Sequence, residues 1–300
     1  MKTSITNEGM RRALMRRFPL FVLPVFICFV ISFVIPFIMG IYLSFCNFNI
    51  PKDAQWSGLS NYHAVFSDVS FWSSFGNTLV FAVVSVLAIN IPAFFIAYAL
   101  TGKFRGSGLF RSVFFMPNLI GGVVLGYIWD LIFDGILGLF GTYLTAEPAY
   151  GFFGLVILVA WQQIGYMMII YIAGFQTVPQ DMLEAADIDG TTGAQKLFRI
   201  IIPNMFSSIF ICVFLTLTNG FKLFDQNLAL TGGAPIVTLE SGAQVKTTEL
   251  LALNIYSTYN INKNWHGTAQ AKAVVFFILV GALAAVQFII RKKTEGGDEK

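Results

Sequence analysis

Few side chains in this 300-residue sequence stand at a spacing that chemistry can use. The single Gly-Lys pair, Gly102-Lys103, is followed by Phe104. A phosphate-binding loop needs Ser or Thr there, so that the hydroxyl holds magnesium while Lys and backbone amides hold the phosphates. His63 and His266 lie far apart with no second nitrogen or thiolate at metal spacing, and Cys28, Cys46 and Cys212 are not paired in a way that points to a metal or a disulfide. No cluster of His, Asp, Glu, Ser or Cys stands at catalytic spacing. Two small sets of hydrogen-bonding groups do share a helix face: Gln163 with Tyr166, three apart, and Thr216, Asn219 and Gly220 at i, i+3, i+4. Amides and hydroxyls suit sugar hydroxyls, and an aromatic ring can cover a sugar's apolar face. Such groups also bond helix to helix, and the sequence leaves both readings open.

The elements that position these groups must be membrane helices. Hydrophobic types make up 56% of the chain and charged types 12%, with a mean hydropathy of +0.71 and 32 Phe, more apolar surface than one water-soluble core can hide. Six charge-free windows of at least 18 residues occur, at 18–51, 69–102, 112–129, 148–180, 200–221 and 273–290. Each can hold one crossing, since a hydrocarbon core of about 30 Å takes about 20 apolar residues in a helix. A β-barrel would alternate apolar and polar residues, but 75–100 and 152–173 are apolar on every side. The expected fold is therefore an all-α integral membrane protein with helices near 18–45, 75–100, 112–133, 152–173, 203–223 and 269–290. Within this span of 18–290, Gly122 and Gly126 mark a close helix contact, and Asp130 is the one carboxylate inside the expected helices. The first apolar stretch exceeds the roughly 7–15 residues of an export signal and is expected to stay as an anchor.

Basic residues set the orientation. Of 19 Lys and Arg, 14 fall on one side: the segment 1–17, the loops 101–111 and 174–203, and the tail 291–300. The positive-inside bias places both termini in the cytoplasm. The net charge of +3 reflects this arrangement and calls for no nucleic-acid partner.

The inner loop 174–203 has helix chemistry of its own. Pro179 should end the fourth span, Asp181 can cap a short helix with Glu184 completing a capping box, and Ala185 and Ala186 favour helix until Gly190 stops it. On these residues alone, a capped amphipathic helix at the inner membrane surface explains the loop. The spacing adds more. Glu184-Ala185-Ala186, three residues, Gly190, nine residues, Ile200, one residue, then Ile202-Pro203 resembles the "EAA" signature of inner-membrane subunits of binding-protein-dependent ABC importers, with Ile202 where Leu is usual.

Further stretches resemble the carbohydrate branch of that family: Gly58-Leu59 with Asn61-Tyr62, Gly108-Leu109-Phe110-Arg111 with Phe115 and Pro117, and Thr231-Gly232-Gly233-Ala234-Pro235. The likeness is closest to the first permease of maltose and glycerol-phosphate systems. It implies a type I importer transmembrane domain in the cell inner membrane, working with a second permease, two ATPase subunits and an extracytoplasmic binding protein. ATP and magnesium would be bound by the ATPase partner, with no cofactor in this chain. It assigns ATPase coupling to Glu184, Ala185, Ala186, Asp189, Gly190, Ile200 and Pro203, and a sugar path to the face of Gln163, Tyr166, Thr216, Asn219 and Gly220. Lys222 is the one cation near that face, which favours a neutral mono- or oligosaccharide over a phosphorylated ligand. An ion-coupled secondary transporter is the competing class, and it lacks a mid-helix carboxylate to bind its ion.

Overall fold

The computed structural model describes residues 18, 22–102, 106–240, 242–261 and 265–295, the side chains of 293–295 excepted. The expected basic N-terminus 1–17, most of the loop around Lys103 and Arg105, and the end of the tail from 296 on lie outside the described residues.

The helices are α1 (Val22–Leu43, with a π turn at Val30–Val34), α2 (Ser60–Ser67), α3 (Val69–Thr101), α4 (Ser107–Phe115), α5 (Gly122–Gly138) and α6 (Pro148–Phe175). They continue as α7 (Gln180–Ile188), α8 (Gly193–Asn204), α9 (Phe206–Phe221), α10 (Asp225–Leu230), α11 (Leu251–Ile261) and α12 (His266–Glu295). Two short antiparallel pairs, β1 (Cys46–Asn47) with β2 (Gln55–Trp56) and β3 (Ile236–Thr238) with β4 (Gln244–Lys246), brace loops between them.

Among the described residues, four helices, α1, α3, α6 and α12, are each long and apolar enough to cross a bilayer, and the count reaches six if each of two bent pairs is one crossing. The bent pairs correct the expected third and fifth helices. In place of one helix over 112–133, α4 runs through a 3₁₀ turn at Met116–Leu119 and meets α5 at 99°. Pro117 lies in that turn and Gly121 is extended (φ −61°, ψ 139°), so the backbone changes direction inside an apolar window. Because α5 extends to Gly138, Asp134 joins Asp130 within it, and Asp134 Oδ1 accepts the Leu144 amide at 2.7 Å. The fifth helix starts at Phe206 rather than 203, after a 72° bend from α8 at the fully buried Met205. α3 is longer than the expected helix 75–100, its first turns supplied by residues such as Ser70, Ser73 and Ser74, and α12 outruns its charge-free window 273–290 because polar and charged residues at its ends continue the helix.

The chain forms two compact units. In the one made of residues up to Val65 with Thr258–Val274, Asn61 joins three segments. Its amide donates to the carbonyls of Ser44 and Cys46, each at 3.0 Å, and its Oδ1 accepts from Thr268 Oγ1 at 3.3 Å. Gly267 lies against the Cys46 carbonyl, where a Cβ would overlap it. Tyr62 shares a 2.7 Å hydrogen bond with Ser44 Oγ. The Asn-Tyr pair singled out in the sequence is thus a structural clasp on the end of α1.

The second unit, Phe66–Ser257 with the residues from Val275 on, is built around α3, α6 and α9, whose facing sides bury Phe81, Ile89, Leu155, Leu158, Met167 and Met168. Small residues let the backbones approach: a Cβ on Gly220 of α9 would stand 3.1 Å from Ala82 Cα on α3. One polar chain crosses this core. Tyr171 Oη donates to Asn90 Oδ1 at 2.9 Å, and Asn90 Nδ2 donates to Thr216 Oγ1 at 3.1 Å, linking α6, α3 and α9. Interhelical hydrogen bonds in membranes average about 0.6 kcal/mol, so Tyr171→Phe is expected to lower stability by about that amount. Asn90→Leu, which strips both partners, should cost two to three times as much in thermal unfolding of the detergent-solubilised chain.

Candidate functional site

The loop between α6 and α9 carries the first candidate site. α6 ends at Phe175, Pro179 is extended (φ −61°, ψ 130°), and α7 begins at Gln180. The expected Asp181–Glu184 capping box does not form: Pro179 occupies the cap position with no side-chain cap, which leaves Asp181 in the first turn, where its charge complements the helix dipole. The other end of α7 follows from its sequence. Gly190 adopts φ +71°, which a residue without Cβ tolerates; its amide donates to the Asp187 carbonyl at 3.2 Å and the Thr191 amide to that of Ala186 at 3.1 Å. A capping box does occur one turn later. The Gln195 amide donates to Thr192 Oγ1 at 3.3 Å, and the Thr192 amide donates to Gln195 Oε1 at 2.8 Å. The Thr-x-x-Gln pattern was present in the sequence as its signal. An ion pair between Asp187 and Lys196 then ties α7 to α8.

This framework sorts the loop residues by exposure. Glu184, Ala185, Asp189 and Gly190 face outward, and Ile188 is 88% exposed. Ala186 is 4% exposed, its carbonyl accepting both the amide and Oγ1 of Thr191. Ile200 is half-buried and Pro203 exposed. Two large apolar side chains also point outward, Met182 at 44% and Phe198 at 66% exposure. The result is a two-helix loop, tied by the Asp187–Lys196 ion pair, whose exposed residues include the acidic Asp181, Glu184 and Asp189 and the apolar Met182, Ile188 and Phe198.

The second set of residues is divided by the structure. Thr216 is buried in the polar chain with Asn90 and Tyr171, and Gly220 is packed on Ala82, so both hold helices together. Asn219 alone of the α9 trio is exposed. Lys222 and Asp225, both exposed, follow it at the end of α9 and the start of α10. On α6, Tyr166 is half-buried against the core, and Gln163 is buried with Oε1 accepting no hydrogen bond.

Sequence reasoning missed Gln162, the neighbour with the larger role. At the middle of α6, its Nε2 donates to the Ile120 carbonyl at 3.1 Å and its Oε1 accepts from Gln226 Nε2 at 2.7 Å. Ile120 lies at the break between α4 and α5, so Gln162 satisfies a carbonyl that no helix turn reaches. Close packing completes the joint. Gly122 and Gly126 of α5 lie on α10, where a Cβ on Gly126 would stand 2.5 Å from Ala229 Cβ, and a Cβ on Gly165 of α6 would overlap the Phe114 carbonyl at the end of α4.

A helical core with apolar helices of membrane-spanning length, a bent helix pair pinned by Gln162 and a two-helix loop between α6 and α9 make this an α-helical membrane protein. Residues 96–295 match the family described as "Binding-protein-dependent transport system inner membrane component", and the chain belongs to that family of ABC importer permeases. It is 37% identical over 285 residues to the probable starch degradation products transport system permease protein AmyD of Thermoanaerobacterium thermosulfurigenes, covering 92% of this chain and 94% of that one. It is 31% identical over 251 residues to the sn-glycerol-3-phosphate transport system permease protein UgpA of Agrobacterium fabrum, covering 80% and 82% of the two chains. Its fold is that of a chain in the crystal structure of a bacterial alginate ABC transporter in complex with an alginate pentasaccharide-bound periplasmic protein, with a TM-score of 0.75, 17% identity, and 94% and 97% of the two chains covered. Family membership sets aside the ion-coupled alternative.

Proposed function

We propose that this permease moves a carbohydrate, received from an extracytoplasmic binding protein, into the cytoplasm, and that neutral mono- or oligosaccharides are its cargo. The observation that carries the preference is at the end of α9: the exposed Lys222, the one cation near the exposed Asn219 in sequence, is followed three residues later by the exposed carboxylate of Asp225, so the charge of this stretch of chain sums to zero. A phosphorylated ligand would draw on a net positive site. The names of the relatives, which include starch products and glycerol phosphate, support the carbohydrate class and leave its charge to this argument. Gln163 and Tyr166 on α6 join Asn219 as path residues, with Thr216 and Gly220 as the scaffold behind them.

In this reading both termini are cytoplasmic, a second permease completes the path, and α7 docks on one of two ATPase subunits that bind ATP and magnesium. Glu184 and Ala185 supply the exposed contact, Ala186 and Gly190 fix its angle, and Asp189, Ile200 and Pro203 carry the motion toward α9. Closure of the ATPase pair then rocks the helices as rigid bodies between inward- and outward-facing states.

The test is uptake into liposomes by this chain with its second permease, ATPase and binding protein. Starch-derived oligosaccharide uptake that requires ATP and binding protein, and falls at least tenfold in Glu184→Lys, is the expected outcome. Glycerol phosphate taken up faster than any neutral sugar would overturn the cargo assignment.

A further inference from the structure

Away from the docking loop and the path, one concave surface is unaccounted for. A groove of about 330 Å³ runs between α9 and α12, lined by Phe210, Ile211, Phe214, Ala284, Phe288 and Arg291. Five of these six are apolar. The rings of Phe210 and Phe214 are stacked with centroids 6.4 Å apart, forming one wall, and Phe288, 64% exposed, forms the opposite lip. Arg291 is the first charge after the charge-free run 273–290, so it marks the level where hydrocarbon gives way to headgroups, and the exposed Lys292 follows it. Ala284, Phe288 and Arg291 fall on one stripe of α12, and the apolar slot therefore leads to the guanidinium.

An apolar slot with a cation at its water end is complementary to an amphiphile with an anionic head. With side chains a helix is about 10–12 Å across, too broad for a slot of this volume, whereas an acyl chain fits one. Basic pockets between membrane helices on the cytoplasmic side bind anionic lipid headgroups by the same pairing of charge and shape.

We propose that the α9–α12 groove is a binding site for an anionic phospholipid, with an acyl chain between Phe214 and Phe288 and the phosphate at Arg291. This goes beyond the transport reading, and it gives α9, which ends in the path, a lipid contact on its other side.

The experiment is native mass spectrometry of the importer complex taken from nanodiscs of equal phosphatidylglycerol and phosphatidylcholine, together with a photoreactive phenylalanine analogue at position 214. The expected result is preferential retention of phosphatidylglycerol, reduced about fivefold in Arg291→Gln, restored in Arg291→Lys, and accompanied by a lipid adduct at position 214. Ala284→Trp, which fills the slot, should remove the retained lipid while Arg291 stays in place. Equal retention by wild type and Arg291→Gln would overturn the proposal. So would a protein adduct at position 214, which would make the groove a contact with the second permease.

Discussion

Replacing Gly165 by valine is expected to prevent the chain from accumulating as a folded membrane protein. The Phe114 carbonyl at the end of α4 occupies the space in which a Gly165 Cβ would sit, and the Phe115 amide nitrogen is 2.8 Å away. Both obstacles are backbone, so no rotamer change relieves them. Overpacking by one or two methyl groups in a core costs about 1–3 kcal/mol when side chains can yield, and here the loss should exceed that range. Gly76, where a Cβ meets no heavy atom within 4 Å, is the control: Gly76→Val should leave the yield of monodisperse protein unchanged. Gly165→Val protein recovered at the wild-type yield and melting temperature would refute the crossing.

The coupling loop gives the second large effect, and here two adjacent alanines part company. Ala185 is exposed on α7 while Ala186 is 4% exposed beneath Thr191. Ala185→Leu should therefore leave the subunit folded but cut uptake by tenfold or more, with ATP hydrolysis by the complex no longer matched to transport. Ala186→Leu should instead loosen α7 from α8, lowering thermal stability and the recovery of the assembled complex together. Identical behaviour of the two variants would show that the loop is not held as described. Measuring uptake, hydrolysis and melting on the same preparations separates the cases.

The count of apolar segments was legible because charge is costly in hydrocarbon, so Lys103 and Asp68, for example, bound one helix without reference to anything else in the chain. Direction was not. The window 112–129 reads as one span by hydropathy, yet Pro117 and Gly121 turn it through 99°, and hydropathy carries no information on a bend whose freed carbonyl is met by a residue 42 positions away. The loop illustrates the same division. Gly190 was readable as a helix stop because its positive φ is a local demand, whereas Asp181 missed its capping role because Pro179 already occupies the cap position. Thr216 looked like a path residue on its own helix face; its partner Asn90 lies 126 residues earlier, on a helix whose rotation about its axis the sequence does not specify.

The Gln162–Ile120 hydrogen bond has a consequence for biosynthesis. When α4 and α5 leave the ribosome, the Ile120 carbonyl is open, and its acceptor capacity is met only after 42 more residues have been made. At about 5–20 residues per second that is a wait of roughly 2–8 seconds. Neither half of the bent pair can settle alone as a stable span during that time, because an open carbonyl has no water to bond in the bilayer core. The pair must be sheltered at the insertion site or remain near the interface until α6 arrives, so the order of synthesis makes α6 the helix that releases its two predecessors into the membrane.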